Sequence, residues 1–126
     1  MLSLDGNTAP YLQYAHARIR SIFRRAEIER FTPAPITIGH PAEHALALEL
    51  AGFGAVVASV EQTLQFHRLA GYLHTLATTF SGFYEACPVL RAEDAVRGSR
   101  LALCDLTARV LRQGLYLLGI AAPDRM

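Results

Sequence analysis

The chain has 126 residues, 52% of them hydrophobic, and a formal net charge of +1. That length suits one domain able to bury about two-thirds of its unfolded surface, so folding needs neither disulfides nor a structural metal. All 12 basic residues are arginine, which excludes a Schiff-base lysine, a phosphate-loop lysine and every lysine-dependent signature.

No uninterrupted apolar run reaches about 18 residues, the length that would suggest a membrane span. The opening MLSLDGNTAP has no basic region ahead of an apolar stretch, so no secretory signal is expected. Asn7-Thr8-Ala9 lacks the third-position hydroxyl of a glycosylation acceptor. Cys87 and Cys104 are too few and too separated for a zinc cage or a disulfide framework. The expectation is a reducing, cytoplasmic setting, no membrane partner, and a monomer as the default state.

Helical signals run in order along the chain. Asp5-Gly6-Asn7-Thr8 is a turn with capping residues and Pro10 suits a first helical turn, so a helix is predicted from residue 8 to 10 as far as about Arg30. FTPAPITIGHP, 31–41, holds three of the six prolines and reads as a loop. Pro41-Ala42-Glu43 opens a second helix ending near Gly52, and a third covers about 54–63. A fourth runs from about Gln65 to Ala86, where Cys87-Pro88 stops it. Glu93-Asp94 leads into a last long helix closed by Gly119, placed as a helix C-terminal glycine. No segment alternates convincingly as a strand and no repeat is visible. The fold class is all-α: a single-domain bundle of about five helices spanning 1–126.

Arg18, Arg20, Arg24, Arg25 and Arg30 fall within thirteen residues, opposed only by Glu27 and Glu29. A basic patch on a near-neutral domain points to a polyanion. Laid out at 100° per residue, the first helix has a core stripe of Leu12, Ala15, Ile19, Ile22, Phe23 and Ala26. Tyr11, Tyr14, Arg18 and Arg25 gather about a quarter-turn away, with Gln13, Arg20 and Arg24 on the far flank. Two readings fit that row. Tyrosine rings can cover a core edge while arginines solvate the rim. Alternatively the row is a stacking platform, with aromatic faces for unpaired bases and guanidinium groups for phosphates.

The stretch SLDGNTAPYLQYAHARIRSIFRRA resembles the start of the C-terminal anticodon-binding domain of arginyl-tRNA synthetases, known as DALR. HRLAGYLHTLATTFSGFYEACPVL is similar to that family's long helix, and SRLALCDLTARVLRQGLYLLGIAAPDRM to its last helix and terminal Arg-Met. The resemblance covers nearly the whole chain and is weakest over 31–41. It implies a helical bundle that grips the anticodon stem-loop of arginine tRNA, with Tyr11, Tyr14 and Arg18 facing anticodon nucleotides. Met126 and its neighbour Arg125 are implied to lie near the anticodon pocket. Gln13 and His16 match the motif but point away from the tyrosine row, so they are expected to be structural. Arg25, Arg109 and Arg112 are candidates for phosphate contacts. The catalytic domain of the same enzyme is the second implied partner. ATP and magnesium would be used by that domain, which is itself longer than this chain, so no catalytic residue and no cofactor is expected here. A non-catalytic module for protein interaction is the alternative.

Two departures from the family pattern stand out. Phe66 occupies a position where proline is common, so a less sharply broken start to the fourth helix is expected. Gly98 lies inside the last helix, at a cost of about 1 kcal/mol relative to alanine.

Several motifs mislead. Thr37-Ile38-Gly39-His40 mimics part of the synthetase H-I-G-H signature but has no preceding strand. His40-Pro41-Ala42-Glu43-His44 matches a zinc-protease pattern, yet Pro41 is expected to begin the helix and leave His40 outside it. His67 and His74 are expected to be satisfied or half-exposed rather than ligands. Phe80 and Phe83 read as core, with Tyr84 at an edge. Arg100 is expected on a solvated face.

Overall fold

The computed structural model describes residues 8–27 and 34–126. Five helices follow in order: α1 (Thr8–Arg25), α2 (Pro41–Ala51), α3 (Phe53–Thr63), α4 (Phe66–Ala86) and α5 (Asp94–Leu117). No strand occurs among the described residues. The all-α bundle expected from the periodicity is what the chain forms.

α4 is the centre of the bundle, packing against each of the other four helices. Its buried side, Leu69, Ala70, Leu73, Leu76, Ala77, Phe80 and Phe83, repeats at three- and four-residue spacing, so one stripe meets the others. α5 contributes Leu101, Leu103, Cys104, Ala108, Leu111 and Leu115, and α1 adds Leu12, Ile19, Ile22 and Phe23. Where α4 and α5 cross, a Cβ on Gly114 would stand 2.6 Å from Leu73 Cδ2. A side chain at 114 would force the buried Leu73 side chain to move.

α2 and α3 meet at Gly52. Together they form an apolar stretch, Pro41–Thr63, long and apolar enough by composition to cross a membrane, although charged residues interrupt it and no unbroken apolar run marks it in the sequence. Leu46, Leu50 and Val60 from this stretch pack into the core of the bundle.

Helix ends follow local chemistry, with two corrections. α1 stops at Arg25, short of the expected Arg30, and Glu27 adopts a left-handed φ of 58°; Arg30 lies outside the described residues. The break before α4 is sharp despite Phe66, because Leu64 takes the left-handed conformation at φ 57° and caps α3 through its N–H to the Val60 carbonyl. At the end of α5 the Gly119 N–H donates to the Tyr116 carbonyl and the Ile120 N–H to the Leu115 carbonyl. With Gly119 at φ +77°, this is the two-bond closure that needs a residue free of Cβ strain. The chain turns there and runs back onto α1.

The proline-rich segment is fixed rather than loose over its described part. The Thr37 N–H donates to Ser99 Oγ at 2.8 Å, and the Ser99 hydroxyl donates to the Thr37 carbonyl at 3.1 Å. Gly98 explains itself here, since its Cβ would lie 3.2 Å from Ala34 Cβ. The helix-propensity cost is accepted so that this segment can lie against α5.

Arg100 is a third correction. Its side chain is only 15% exposed; Nε donates to Glu43 Oε2 at 3.1 Å and a terminal nitrogen to the Pro88 carbonyl at 2.7 Å. Glu43 is 3% exposed and also accepts the Gly39 N–H at 2.9 Å. Burial alone would raise the Glu43 carboxyl, but those hydrogen bonds and the Arg100 charge outweigh it, leaving the group below its ordinary 4.5. This ion pair ties α2 to α5.

Candidate nucleic-acid interface

α1 divides into three faces rather than two. One is the core stripe. The second carries Gln13, His16 and Arg24 and is covered by the tail that follows Gly119: Gln13 Nε2 donates to the Ala121 carbonyl at 2.9 Å, His16 Nδ1 lies 3.0 Å from the Pro123 carbonyl, and an Arg24 terminal nitrogen donates to the Asp124 carbonyl at 2.9 Å. Gln13 and His16 are structural, as the sequence suggested. Arg24 is exposed, but its guanidinium is tied to the tail.

The third face is a surface depression of about 520 Å³ lined by Tyr14, Ala17, Arg18, Ser21, Arg24, Arg125 and Met126. Tyr14 is 60% exposed, as is Met126, so an aromatic ring and a thioether stand open beside three arginines. Arg18 does not wave freely. Its guanidinium carbon sits 5.0 Å from the centre of the Tyr84 ring, and Tyr84 stacks on buried Phe80 with ring centres 6.0 Å apart and planes 15° apart. A ladder of core phenylalanine, half-buried tyrosine and surface arginine therefore fixes where the charge is presented.

The structure brings Tyr14, Arg18 and Met126 together and sets the remaining candidates elsewhere. Tyr11 turns to α4, where its ring centre lies 5.1 Å from that of His74, and it does not line the cleft. Arg25 is exposed but is not part of the lining. Arg109 and Arg112 line a separate depression of about 490 Å³ on α5 with Gln113 and Tyr116. Tyr84 and Arg24 are the residues that sequence reasoning missed. Tyr84 falls one turn after Phe80 on α4, a spacing that marks a stacked pair, but nothing in the sequence brings Arg18 over it.

His16 is 2% exposed. A carbonyl can only accept, so Nδ1 carries the proton toward Pro123. Burial lowers the imidazole from its ordinary 6.5, with Arg20 and Arg112 adding to the shift, while the Pro123 hydrogen bond and Asp124 oppose it. The unfolded chain thus binds the proton more readily than the folded one. Stability is expected to be complete above pH 6.5 and to fall as pH drops from 6.5 toward the lowered folded value. Urea titrations across that window should show this loss in the natural chain. His16→Asn, which keeps a donor but cannot titrate, should lose that part of the dependence.

The misleading motifs dissolve. His40 caps α2, its Nδ1 accepting the Ala42 N–H at 3.0 Å, and Glu43 is engaged by Arg100. No group of three or more metal-ligating side chains comes together among the described residues. Cys87 and Cys104 are both buried and unbridged; burial, helped by Asp105, pushes the Cys104 thiol up to about 12.

Comparison with known proteins fits this geometry. The family model described as the DALR anticodon binding domain matches residues 12–126. The chain is 58% identical over its whole length to the arginine–tRNA ligase of Frankia casuarinae, covering 21% of that protein, and 58% identical to that of Thermobifida fusca, covering 22%. Arginyl-tRNA synthetase of Thermus thermophilus superposes with a TM-score of 0.86 at 41% identity, over 99% of this chain and 22% of that one. The chain spans about a fifth of the length of these relatives. With a family match over nearly all of its helices, this chain belongs to the DALR anticodon-binding domain family.

Proposed function

We propose that the domain binds the anticodon loop of an arginine tRNA in the cleft between α1 and the tail. The observation that supports this is the grouping of an exposed tyrosine, a stacked arginine, two further arginines and an exposed methionine around one depression. Tyr14 and Met126 would meet the faces of unpaired bases, and Arg18 would meet a phosphate or a base edge. Arg109 and Arg112 would add phosphate contacts from α5, and Tyr11 would border the site rather than form it. In an intact arginine–tRNA ligase, this grip would hold the tRNA while a separate catalytic domain charges its acceptor end. On this reading ATP and magnesium would be used by that catalytic domain and not by this one.

A second surface suits the catalytic domain itself. α2 and α3 leave large apolar side chains in the open: Leu48 is 61% exposed and Leu64, just beyond α3, 71%. In the relatives roughly four-fifths of the polypeptide lies outside the matched region, and this apolar face is where we place its contact.

The test is binding of a labelled arginine-tRNA anticodon hairpin beside an anticodon-substituted hairpin, each at two salt concentrations. Binding that weakens with salt and with anticodon change is expected, since phosphate contacts release counterions. Equal, salt-insensitive binding of both hairpins, or of neither, would overturn the reading.

A further inference from the structure

We propose that Gln13, His16 and Arg24 act together as positioning residues: they strap residues 121–124 onto α1 and thereby fix Arg125 and Met126 in the cleft. The consequence for RNA rests on the proposed anticodon reading; the strap itself rests on hydrogen bonds alone.

The tail has no regular structure of its own after α5. Its backbone is held by three side chains of one helix, each bonded to a different carbonyl: Ala121, Pro123 and Asp124. Ile120 and Ala122 add apolar contact with the core. The anchors read backbone, not side chains, so they set the path of the tail whatever its sequence. Gly119 supplies the turn that aims it.

The reach of the last residues shows what the strap does. From a fixed Asp124, the following two residues can extend at most about 7 Å. Released back to Gly119, seven residues could sweep about 24 Å. In flexible-chain terms, the local concentration of Arg125 and Met126 at the cleft would fall about 5- to 10-fold.

Relaxation and binding measurements test this together. In the natural chain, 15N heteronuclear NOEs at Arg125 and Met126 should approach those of α1. In Gln13→Ala/His16→Ala, which leaves only the exposed Arg24 bond to the Asp124 carbonyl, they should fall well below those of α1 while the amides of α4 and α5 keep their dispersion, and His16→Asn in place of His16→Ala should restore part of the order. Hairpin affinity should fall about 5- to 10-fold in the double variant. In a chain lacking residues 125 and 126 the same substitutions should cost nothing further. A tail that is already disordered in the natural chain, or that stays ordered in the double variant, overturns the strap. An affinity loss of the same size in the shortened chain overturns the positioning role. If the natural chain binds no hairpin, the anticodon reading fails and the relaxation data still decide the strap. Should the double variant fail to fold, Arg24→Ala, at an exposed site, gives the relaxation readout through the outermost anchor.

Discussion

Tyr14→Ala with Arg18→Ala is expected to reduce affinity for the anticodon hairpin far more than any other exposed pair, with almost no change in folding stability. Tyr14 is 60% exposed, so its ring contributes little to the core, and surface changes of this kind usually stay within about 0.5 kcal/mol. Loss of one base–aromatic stack costs about 1–3 kcal/mol. Losing the Arg18 phosphate contact should also flatten the dependence of log affinity on log salt by about 0.7, the value for a single-stranded contact. Fluorescence anisotropy of the labelled hairpin at several salt concentrations reads both effects. Tyr11→Ala should do much less, because Tyr11 faces His74 rather than the cleft. If Tyr11→Ala equals Tyr14→Ala, the row seen on the bare helix, not the cleft, is the right description. Tyr84→Ala should mimic part of the Arg18 loss by removing the ring beneath the guanidinium, whereas Tyr84→Phe should not.

The largest stability effect is expected at Glu43. Glu43→Ala leaves the Arg100 guanidinium in a site that is 15% exposed, with the Pro88 carbonyl as its remaining bond among the described residues, and frees the Gly39 N–H. Breaking a buried pair from one side costs about 3–5 kcal/mol, and the partial exposure of Arg100 places this case near the lower end. Chemical denaturation should show a reduced midpoint with an unchanged slope. Glu43→Leu with Arg100→Met should recover most of the loss, because both charges leave together. The pH dependence has a definite sign. The carboxyl is held below 4.5 in the folded state, so its contribution is complete above 4.5 and is lost as pH falls through the lowered value. Glu43→Gln should remove that acid-side dependence.

Much of this could be read without coordinates, and what could not has a common cause. Pro41 opening α2, Cys87-Pro88 closing α4 and Gly119 closing α5 are local backbone events, set by residues a few positions apart, and each stands where its sequence signal puts it. The core stripe of α1 is equally local, since helical period alone selects Leu12, Ile19, Ile22 and Phe23. Arg24 and Arg100 resist such reading because their partners lie far along the chain, at Asp124 and at Glu43 and Pro88. A helical layout shows which way a side chain points but not what arrives to cover it. Gly98 is the same lesson in reverse: a residue that weakens a helix locally makes room for a segment more than sixty positions earlier. The family motif placed Tyr11 and Tyr14 together at the site. In the folded domain Tyr14 lines the depression and Tyr11 stands against His74.

The stacking of Tyr84 between Phe80 and Arg18 also has an optical consequence. The chain has no tryptophan and five tyrosines, so its near-ultraviolet emission comes from tyrosine alone, with no indole to drain it. Tyr14 opens into the cleft and Tyr84 lies beneath the arginine that borders it. Loosening the stack, as in Arg18→Ala, is therefore expected to change the tyrosine emission of the RNA-free protein, which reports the order of the cleft before any ligand enters it.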